Sequence, residues 1–422
     1  MFRYNNEFKD SKVEYIGKIP KSWKIIRNKH IFNKTKVIAG PNWDKYNVLS
    51  LTKNGVIIKD IERNEGKMPS DFSIYQIVNP GNLLMCLFDI DVTPRCVGYI
   101  ENNGIVSAAY TELSPIADIN MKYYYWWYLM LDIDKQLLHL SKNLRNSLST
   151  EDFMALSVVK PPLDEQIQIA NYLDKKTAKI DETIAKNKEL IDLLEEKRIA
   201  LINHVVTKGL DPDVPMKDSG IEWIGNIPEH WETIKLKNCT TIVNDKKDLA
   251  NEKDKYIGLE HIESETGNLL NYSNECADGT VNKFKKNMIL FGKLRPYLAK
   301  VVNAPFDGVC STELLVFKTS KSLVSKYLFY FMLSNRFIEQ VNSSTYGVKM
   351  PRASPDFINS LHITLPNSID QQEIVDYLDS KITNINYTIS KIKENIILLE
   401  EYKTSLIHHV VTGKIDVREE VI

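Results

Sequence analysis

Cysteine is scarce in this sequence and forms no metal or disulfide motif. The five cysteines are scattered singly and include no CxxC pair, which argues against a zinc module or a disulfide framework. We expect them to be small buried side chains: Cys86, Cys96, Cys239, Cys276 and Cys310. There is no run of about 18 apolar residues, and residues 1–10 are polar, so neither a membrane span nor export is predicted. The expectation is a cytoplasmic protein.

Catalytic motifs are also missing. We find no Walker A loop and no Gly-rich cofactor turn, and Lys160-Pro-Pro-Leu163 lacks both flanking residues of an Asn-Pro-Pro-aromatic motif. Asp89 and Asp91 have no counterpart in the second copy, so a metal site is not expected. The prediction is a non-catalytic chain that holds no cofactor and no metal, although a dispersed nuclease site stays open.

Charge is nearly balanced overall, with a net charge of -1, but it is uneven along the chain. Residues 281–300 contain six basic side chains and no acidic one, and residues 135–150 and 341–353 contain no Asp or Glu. Self-sufficient DNA binders often carry a basic domain. A neutral total can nevertheless conceal a basic face.

The sequence is an internal duplication. The phrase at residues 10–23 returns at 218–231, and the phrases at 122–129, 166–174 and 201–207 return at 326–333, 371–379 and 406–412. The copies therefore run from about 1 to 210 and from 218 to 422. Between them, residues 209–215 contain Gly and two prolines, which predicts a helix stop followed by a linker.

Each copy ends in a long stretch with heptad periodicity. Residues 166–206 contain no Gly or Pro, and a helix of about 40 residues is roughly 60 Å long, too long for one compact module to cover. Each helix therefore needs a partner, and we predict an intramolecular antiparallel coiled coil with a module at each end. One seam line is Leu173, Ile180, Asn187, Leu194 and Leu201, matched in the second copy by Leu378, Ile385, Ile392, Leu399 and Leu406.

Polar residues interrupt these seams. Asn187 either fixes the register or lies at the edge of an imperfect repeat. Arg198 and Lys403 are expected to extend their charged ends to solvent.

Each module has a mixed α/β pattern. Short apolar runs, several of them β-branched, at 47–51, 82–88 and 97–100 precede a helix around 122–140, and runs at 256–259, 287–291 and 314–317 match them in the second copy. The predicted fold class is two mixed α+β modules, a pseudo-twofold repeat, joined by two long helices. The predicted parts are module 1 (1–160), helix 1 (161–210), linker (211–217), module 2 (218–366), helix 2 (367–412) and tail (413–422).

Polar and basic loops are the candidate contact sites for nucleic acid, because Asn, Arg, Lys and Tyr supply hydrogen bonds to bases and phosphates. Each is as readily explained as a solvated loop. The aromatic cluster at 123–128 could stack on bases but is expected to be core. The candidates are Lys53, Asn54, Lys142, Asn143, Arg145, Asn146, Lys293, Arg295, Tyr297, Lys300, Tyr346, Lys349 and Arg352. In place of the basic run at 293–300, the first copy has the acidic segment 89–95.

The repeated Ile-Gly-x-Ile-Pro-x-x-Trp opening resembles the specificity subunit of type I restriction-modification systems. Pro161-Pro-Leu-Asp-Glu-Gln166, Leu365-Pro-Asn-Ser-Ile-Asp-Gln371, residues 256–263 and Leu294-Arg-Pro-Tyr297 are similar to phrases of that family, and the resemblance covers nearly the whole chain. The second copy has Leu-Pro-Asn where the first has Pro-Pro-Leu, and the first lacks Leu-Arg-Pro-Tyr.

The resemblance implies two target-recognition domains, each reading half of a bipartite target in double-stranded DNA. It implies that the helices set the spacer and dock two methyltransferase subunits, and that motor-nuclease subunits join the complex. S-adenosylmethionine, ATP and Mg are then expected on partner subunits, with none in this chain. Two other classes stay open: a coiled-coil scaffold that binds proteins without reading DNA, and a self-sufficient modification enzyme.

Overall fold

Two compact units make up the chain. The first comprises residues 1–187 and 394–422, and the second comprises residues 188–393. The computed structural model describes residues 7–60, 71–141, 146–248, 254–270, 279–347 and 349–418. No helix in these ranges has both the length and the apolar character needed to cross a membrane.

The elements follow largely the same order in both copies. Those of the first are β1 (Phe8–Asp10), β2 (Lys18–Pro20), β3 (Lys24–Arg27), β4 (Phe32–Thr35), β5 (Val37–Ile38), β6 (Asn47–Thr52), β7 (Gly55–Ile58), β8 (Gln76–Val78), β9 (Leu83–Met85), β10 (Val97–Tyr99), β11 (Gly104–Val106), β12 (Thr111–Pro115), α1 (Met121–Ile133), α2 (Gln136–His139), α3 (Thr150–Ala155), β13 (Ser157–Lys160) and α4 (Leu163–Lys208). Those of the second are β14 (Met216–Asp218), β15 (Asn226–Pro228), β16 (Glu232–Lys235), α5 (Leu236–Cys239), β17 (Thr240–Val243), β18 (Lys246–Asp248), β19 (Tyr256–Ile257), β20 (Thr280–Phe284), β21 (Ile289–Gly292), β22 (Val301–Asn303), β23 (Gly308–Ser311), β24 (Leu314–Thr319), α6 (Ser325–Leu333), α7 (Asn335–Ser343), α8 (Pro355–Ser360), β25 (His362–Leu365) and α9 (Ser368–Val411).

Sheet topology repeats with the sequence. The antiparallel sheet β10-β9-β12-β4 of the first unit matches β22-β21-β24-β17 of the second. The first four strands of the mixed sheet β5-β8-β11-β6-β7 match those of β18-β20-β23-β19, and each sheet contains one parallel pair, β11 with β6 and β19 with β23. Two small antiparallel pairs also recur. The mixed α/β architecture with long helices is therefore confirmed.

The aromatic run 123–128 packs as core, as predicted. Five of its six side chains are buried in α1: Tyr123, Tyr124, Trp126, Trp127 and Tyr128. Burial raises the pKa of Tyr128 well above its ordinary value, although a hydrogen bond to Asn28 works the other way. Four of the five cysteines are buried and free, as expected, and Cys276 lies outside the described residues.

Three side chains of the repeated phrases join the first module to its long helix. The Trp23 indole N–H donates to Glu165 Oε2 at 2.8 Å. Gln166 accepts from the Asn120 backbone N–H at 2.9 Å. Further along α4, Asp174 accepts from Lys122 Nζ at 2.6 Å and from Trp126 Nε1 at 2.9 Å. The Gln and Asp bonds tie the start of α1 to α4.

The second module uses the same positions. Trp231 Nε1 donates to Asp370 Oδ2 at 3.0 Å, and Gln371 accepts from the Val324 backbone N–H at 2.8 Å. Asp379 accepts from Lys326 Nζ and from the Tyr330 hydroxyl. The duplicated phrases therefore encode a duplicated attachment of module to helix.

Each module also binds the last turn of a long helix. In the first unit the Tyr123 hydroxyl donates to Val411 O of α9 at 3.1 Å, and in the second the Tyr327 hydroxyl donates to Val206 O of α4 at 3.2 Å. The last carbonyls of a helix lack intrahelical partners, so these bonds satisfy groups that burial would otherwise leave unpaired.

Segments of the two long helices pair within each unit. Lys403 Nζ contacts both carboxylate oxygens of Asp181 at 2.6 Å in the first unit, and Arg198 Nη1 donates to Asn386 Oδ1 at 3.0 Å in the second. These pairs are equivalent under the repeat, because 181 and 198 recur at 386 and 403. Arg198 is only 5% exposed, so the expectation that it reaches solvent is wrong: Asn386 gives its charged end a polar partner inside the helix pair.

The seam residues differ in burial. Those that are buried are Leu173, Ile180, Leu378, Ile385 and Leu406, and those that are half-buried are Asn187, Leu194, Leu201, Ile392 and Leu399. Asn187 Nδ2 is buried and makes no hydrogen bond to the described residues. Its assignment as a register-fixing residue stays a prediction.

Replacing Gly413 with alanine is expected to destabilise the first unit. Gly413 follows α9 with a φ of +71°, and a Cβ there would lie 2.6 Å from Pro20 Cγ and 2.9 Å from Trp23 Cη2. We expect a loss of about 2–4 kcal/mol, from left-handed strain and overpacking together. Gly17 is the matched control, because its φ is +69° and a Cβ there meets nothing within 4 Å. Urea unfolding that gives equal losses for Gly413→Ala and Gly17→Ala would exclude the packing contribution.

Candidate nucleic-acid interface

Two loops of the second unit, both predicted as contact candidates, lie side by side. The basic loop, residues 293–300, follows β21, and the hairpin loop, residues 345–347 and 349–353, follows α7. Arg295 N donates to Pro351 O at 2.8 Å, and Ala353 N donates to Lys293 O at 2.9 Å. These bonds join segments more than 40 residues apart into one surface.

The hairpin loop is closed on itself. Tyr346 N donates to Arg352 O at 3.2 Å, and Arg352 N donates to Tyr346 O at 3.1 Å. The side chain of Tyr346 is 65% exposed, and Lys349 and Met350 are also exposed. The exposed part of this closed loop therefore presents a phenol, a cation and a thioether.

Arg295 occupies the adjoining edge of the basic loop. Its backbone is left-handed, with φ 49° and ψ 60°, and Pro296 follows it. The guanidinium is exposed and makes one long hydrogen bond, from Nη2 to Lys349 O at 3.4 Å. Tyr297, also exposed, stands beside it. Arg295 and Lys349 thus present two cations close together.

Two other candidate cations bind groups of the domain itself. Arg352 Nε and Nη2 donate to the two oxygens of Glu313, each at 3.2 Å, and this pairing raises the pKa of Arg352. Lys300 Nζ donates to Leu259 O at 2.6 Å and to Ile262 O at 2.9 Å. Both contacts position the loops, and phosphate contact by either side chain stays a prediction.

The first unit has an equivalent pair of segments. Residues 87–95 follow β9, and Leu148 N donates to Leu87 O at 2.8 Å, as Ala353 N does to Lys293 O. Ile90 N donates to Asn146 O at 3.1 Å, which places half-buried Asn146 against this loop. The candidates Lys142, Asn143 and Arg145 lie outside the described residues.

Lys53 and Asn54 lie elsewhere in the first unit. They form the exposed turn between β6 and β7, where Asn54 N donates to Thr52 Oγ1 at 3.1 Å. That turn belongs to the mixed sheet, whereas residues 87–95 extend from the antiparallel sheet. The structure therefore assembles candidate residues from two loops in the second unit and gives Lys53 and Asn54 a separate turn in the first.

The residues that attach the modules to the helices, and those that hold the loops together, had no predicted role. The sequence showed only that three of these residues recur in both copies: Trp23, Gln166 and Asp174. A polar residue that recurs at a fixed offset could have indicated a repeated structural contact. Glu313, the partner of Arg352, gave no such signal, because the two residues are distant in sequence.

Two solved structures share this arrangement of duplicated α/β modules and long helices. A chain in a structure described as the basis of complex assembly and conformational transition of the type I R-M system matches with a TM-score of 0.69 and 12% identity, over 93% of this chain and 98% of that chain. The HsdS subunit from Thermoanaerobacter tengcongensis matches with a TM-score of 0.55 and 12% identity, over 94% and 98%.

Sequence comparison also finds similarity to type I specificity subunits. Residues 228–397 match the family described as type I restriction modification DNA specificity domain. The EcoDI specificity subunit of Escherichia coli is 23% identical over 64% of this chain and 67% of its own length. The MjaVIII specificity subunit of Methanocaldococcus jannaschii is 25% identical over 76% of each chain. The predicted resemblance to type I specificity subunits is thereby confirmed.

Proposed function

We propose that this chain is the sequence-specific DNA-recognition subunit of a type I restriction-modification complex, with each module reading one half of a bipartite target. The observation that carries the proposal is the duplicated loop pair. In each unit, a loop after an inner strand of the antiparallel sheet lies against a second segment that precedes α3 or α8. Two similar surfaces on one chain suit two stretches of one duplex.

The long helices set the spacer between the half-sites in this proposal. The two equivalent cross-helix pairs, Asp181 with Lys403 and Arg198 with Asn386, support it, because polar pairs in a helix seam favour one register over its neighbours. The helices also provide the docking surface for two methyltransferase subunits, and motor-nuclease subunits join that assembly.

The chemistry resides on the partners. S-adenosylmethionine, ATP and Mg bind to the methyltransferase and motor-nuclease subunits. This chain determines which DNA sequence the complex binds and catalyses no step. Its proposed contacts are Arg295, Tyr297, Tyr346 and Lys349 in the second module, with Lys53, Asn54 and Asn146 in the first. Exposed Lys, Arg and Tyr side chains on loops supply phosphate and base hydrogen bonds.

Methylome sequencing tests the proposal directly. Cells that express this chain with its neighbouring methyltransferase are compared with cells that lack only this chain. We expect a split motif with methyl-adenine in both halves that disappears on deletion. An unchanged methylome, with the complex shown to assemble, would favour the protein-binding scaffold, and methyl transfer to DNA by the purified chain alone would favour a self-sufficient enzyme.

A further inference from the structure

The two modules carry opposite charges at one equivalent backbone position. In the first, Cys86 N donates to Cys96 O at 2.8 Å across the base of loop 87–95, and in the second, Gly292 N donates to Lys300 O at 2.9 Å across the base of the basic loop. Asp89 lies three residues after Cys86, and Arg295 lies three residues after Gly292.

Backbone conformation supports this equivalence. Asp89 and Arg295 are both left-handed, with φ values of 47° and 49°. The residue two positions before each of them accepts a backbone hydrogen bond from the second segment. Leu87 O accepts from Leu148 N in the first module, and Lys293 O accepts from Ala353 N in the second. The duplication therefore places a carboxylate in one module where it places a guanidinium in the other.

Both side chains are available to a ligand. Asp89 and Arg295 are exposed, and within the described ranges neither forms an ion pair. Lys293 and Lys349 lie beside Arg295 and reinforce its charge, whereas Asp91, also exposed, reinforces the charge of Asp89. Among the described residues, the loop tip is thus cationic in the second module and anionic in the first.

DNA offers these two charges different partners. Phosphate oxygens accept hydrogen bonds and attract cations, so a cluster of Lys and Arg binds the backbone without regard to sequence. A carboxylate is repelled by phosphates and finds hydrogen-bond donors only on base edges, of which the exposed amino group of cytosine N4 is the usual partner and that of adenine N6 is chemically similar.

We infer that the half-sites are bound unequally: Arg295 holds a backbone phosphate in the second half-site, and Asp89 accepts a hydrogen bond from an exocyclic amino group, of cytosine or adenine, in the first. The inference rests on the proposed function and specifies it. Charge anchors the second module on DNA, whereas the first module contributes discrimination at this position.

Asparagine at both positions gives matched variants. Asn tolerates the left-handed conformation, so Asp89→Asn and Arg295→Asn each remove one charge without forcing the backbone to change. Lys321→Asn is the control, because Lys321 is exposed and lies outside both loops. Each full-length variant is assembled with the methyltransferase subunits, and equal urea midpoints establish that it is folded.

The measurement is the dissociation constant for the methylome-defined duplex as a function of salt, repeated with each base pair of each half-site replaced. Arg295→Asn is expected to reduce the slope of log affinity against log salt by about 0.9, equally for target and altered duplexes. Asp89→Asn is expected to leave the slope unchanged and to reduce discrimination at one base pair of the first half-site by roughly ten- to a hundred-fold.

Two results would overturn the inference. Tighter binding of Asp89→Asn to every duplex, with base preferences unchanged, would mean that the carboxylate only repels DNA. An unchanged slope for Arg295→Asn with altered preference in the second half-site would mean that Arg295 reads a base. If the wild-type complex itself shows no preferred duplex, the proposed function fails. Failure of the proposed function therefore appears in the wild-type complex, whereas failure of this inference appears only in the variants.

Discussion

Replacing Trp231 with alanine is expected to lower the free energy of unfolding of the second unit by about 3–5 kcal/mol. Trp231 is 1% exposed and belongs to the main core of that unit with Ile224 and Ile227. Its ring also lies against Gly209, where a Cβ would be 3.3 Å from Cζ2. Alanine would leave a cavity between the module and the ends of two helix segments.

The hydrogen bond from Trp231 to the Asp370 carboxylate adds to this loss of stability. Burial works against its charged form, but hydrogen bonds from His230, Trp231 and Asn367 more than compensate, so the pKa of Asp370 lies below its ordinary value. A lowered carboxylate pKa contributes stability above the ordinary pKa, and that contribution disappears as the pH falls through the folded value. Trp231→Ala removes one of these donors.

Urea unfolding followed by near-ultraviolet circular dichroism measures the effect. Trp231→Phe is the matched variant, because it keeps most of the apolar contact and loses the N–H, and it is expected to cost about 1–2 kcal/mol. A Trp231→Ala protein within 1 kcal/mol of wild type would show that the repeated Ile-Pro-x-x-Trp phrase does not attach the module.

Replacing Asn386 with leucine is expected to cost the second unit about 3 kcal/mol, because a buried guanidinium then loses its oxygen partner. Arg198 Nη1 donates to Asn386, and Arg198 Nε already has no hydrogen-bond partner among the described residues. Leucine supplies no acceptor.

The double variant Arg198→Met with Asn386→Leu removes the charge and its partner together, so its stability is expected to lie within about 1 kcal/mol of wild type. The repeat provides a control at the equivalent position: Asp181→Leu removes the partner of Lys403, but that carboxylate is 56% exposed and its loss is expected to cost about 1 kcal/mol or less. If the double variant is as unstable as Asn386→Leu alone, the unpaired guanidinium is not the cause of the stability lost in the single variant.

Much of the fold was predictable because the same sequence phrases occur in both copies. Repeated phrases indicated two copies, and heptad spacing without Gly or Pro indicated long helices in the regions that α4 and α9 occupy. The buried strands β9 and β21 were recognisable as apolar runs. Their pairing partners were not, because sheet order depends on contacts between distant segments that no local period encodes.

The candidate interface was predictable as separate loops and not as a surface. Nothing in the sequence of residues 293–300 indicates that Arg295 N meets Pro351 O, since a backbone hydrogen bond between loops leaves no residue pattern. Arg198 was predicted wrongly for a related reason: its partner Asn386 is 188 residues away. The contact roles of individual loop residues stay predictions.

Cross-connected helices impose an order on folding during synthesis. The second unit, residues 188–393, is complete before the last segment of the first unit leaves the ribosome. Until residues 394–418 emerge, Trp23 lacks the chain around Gly413 and the Tyr123 hydroxyl lacks Val411 O. The half of the protein that is made first is therefore the half that finishes folding last.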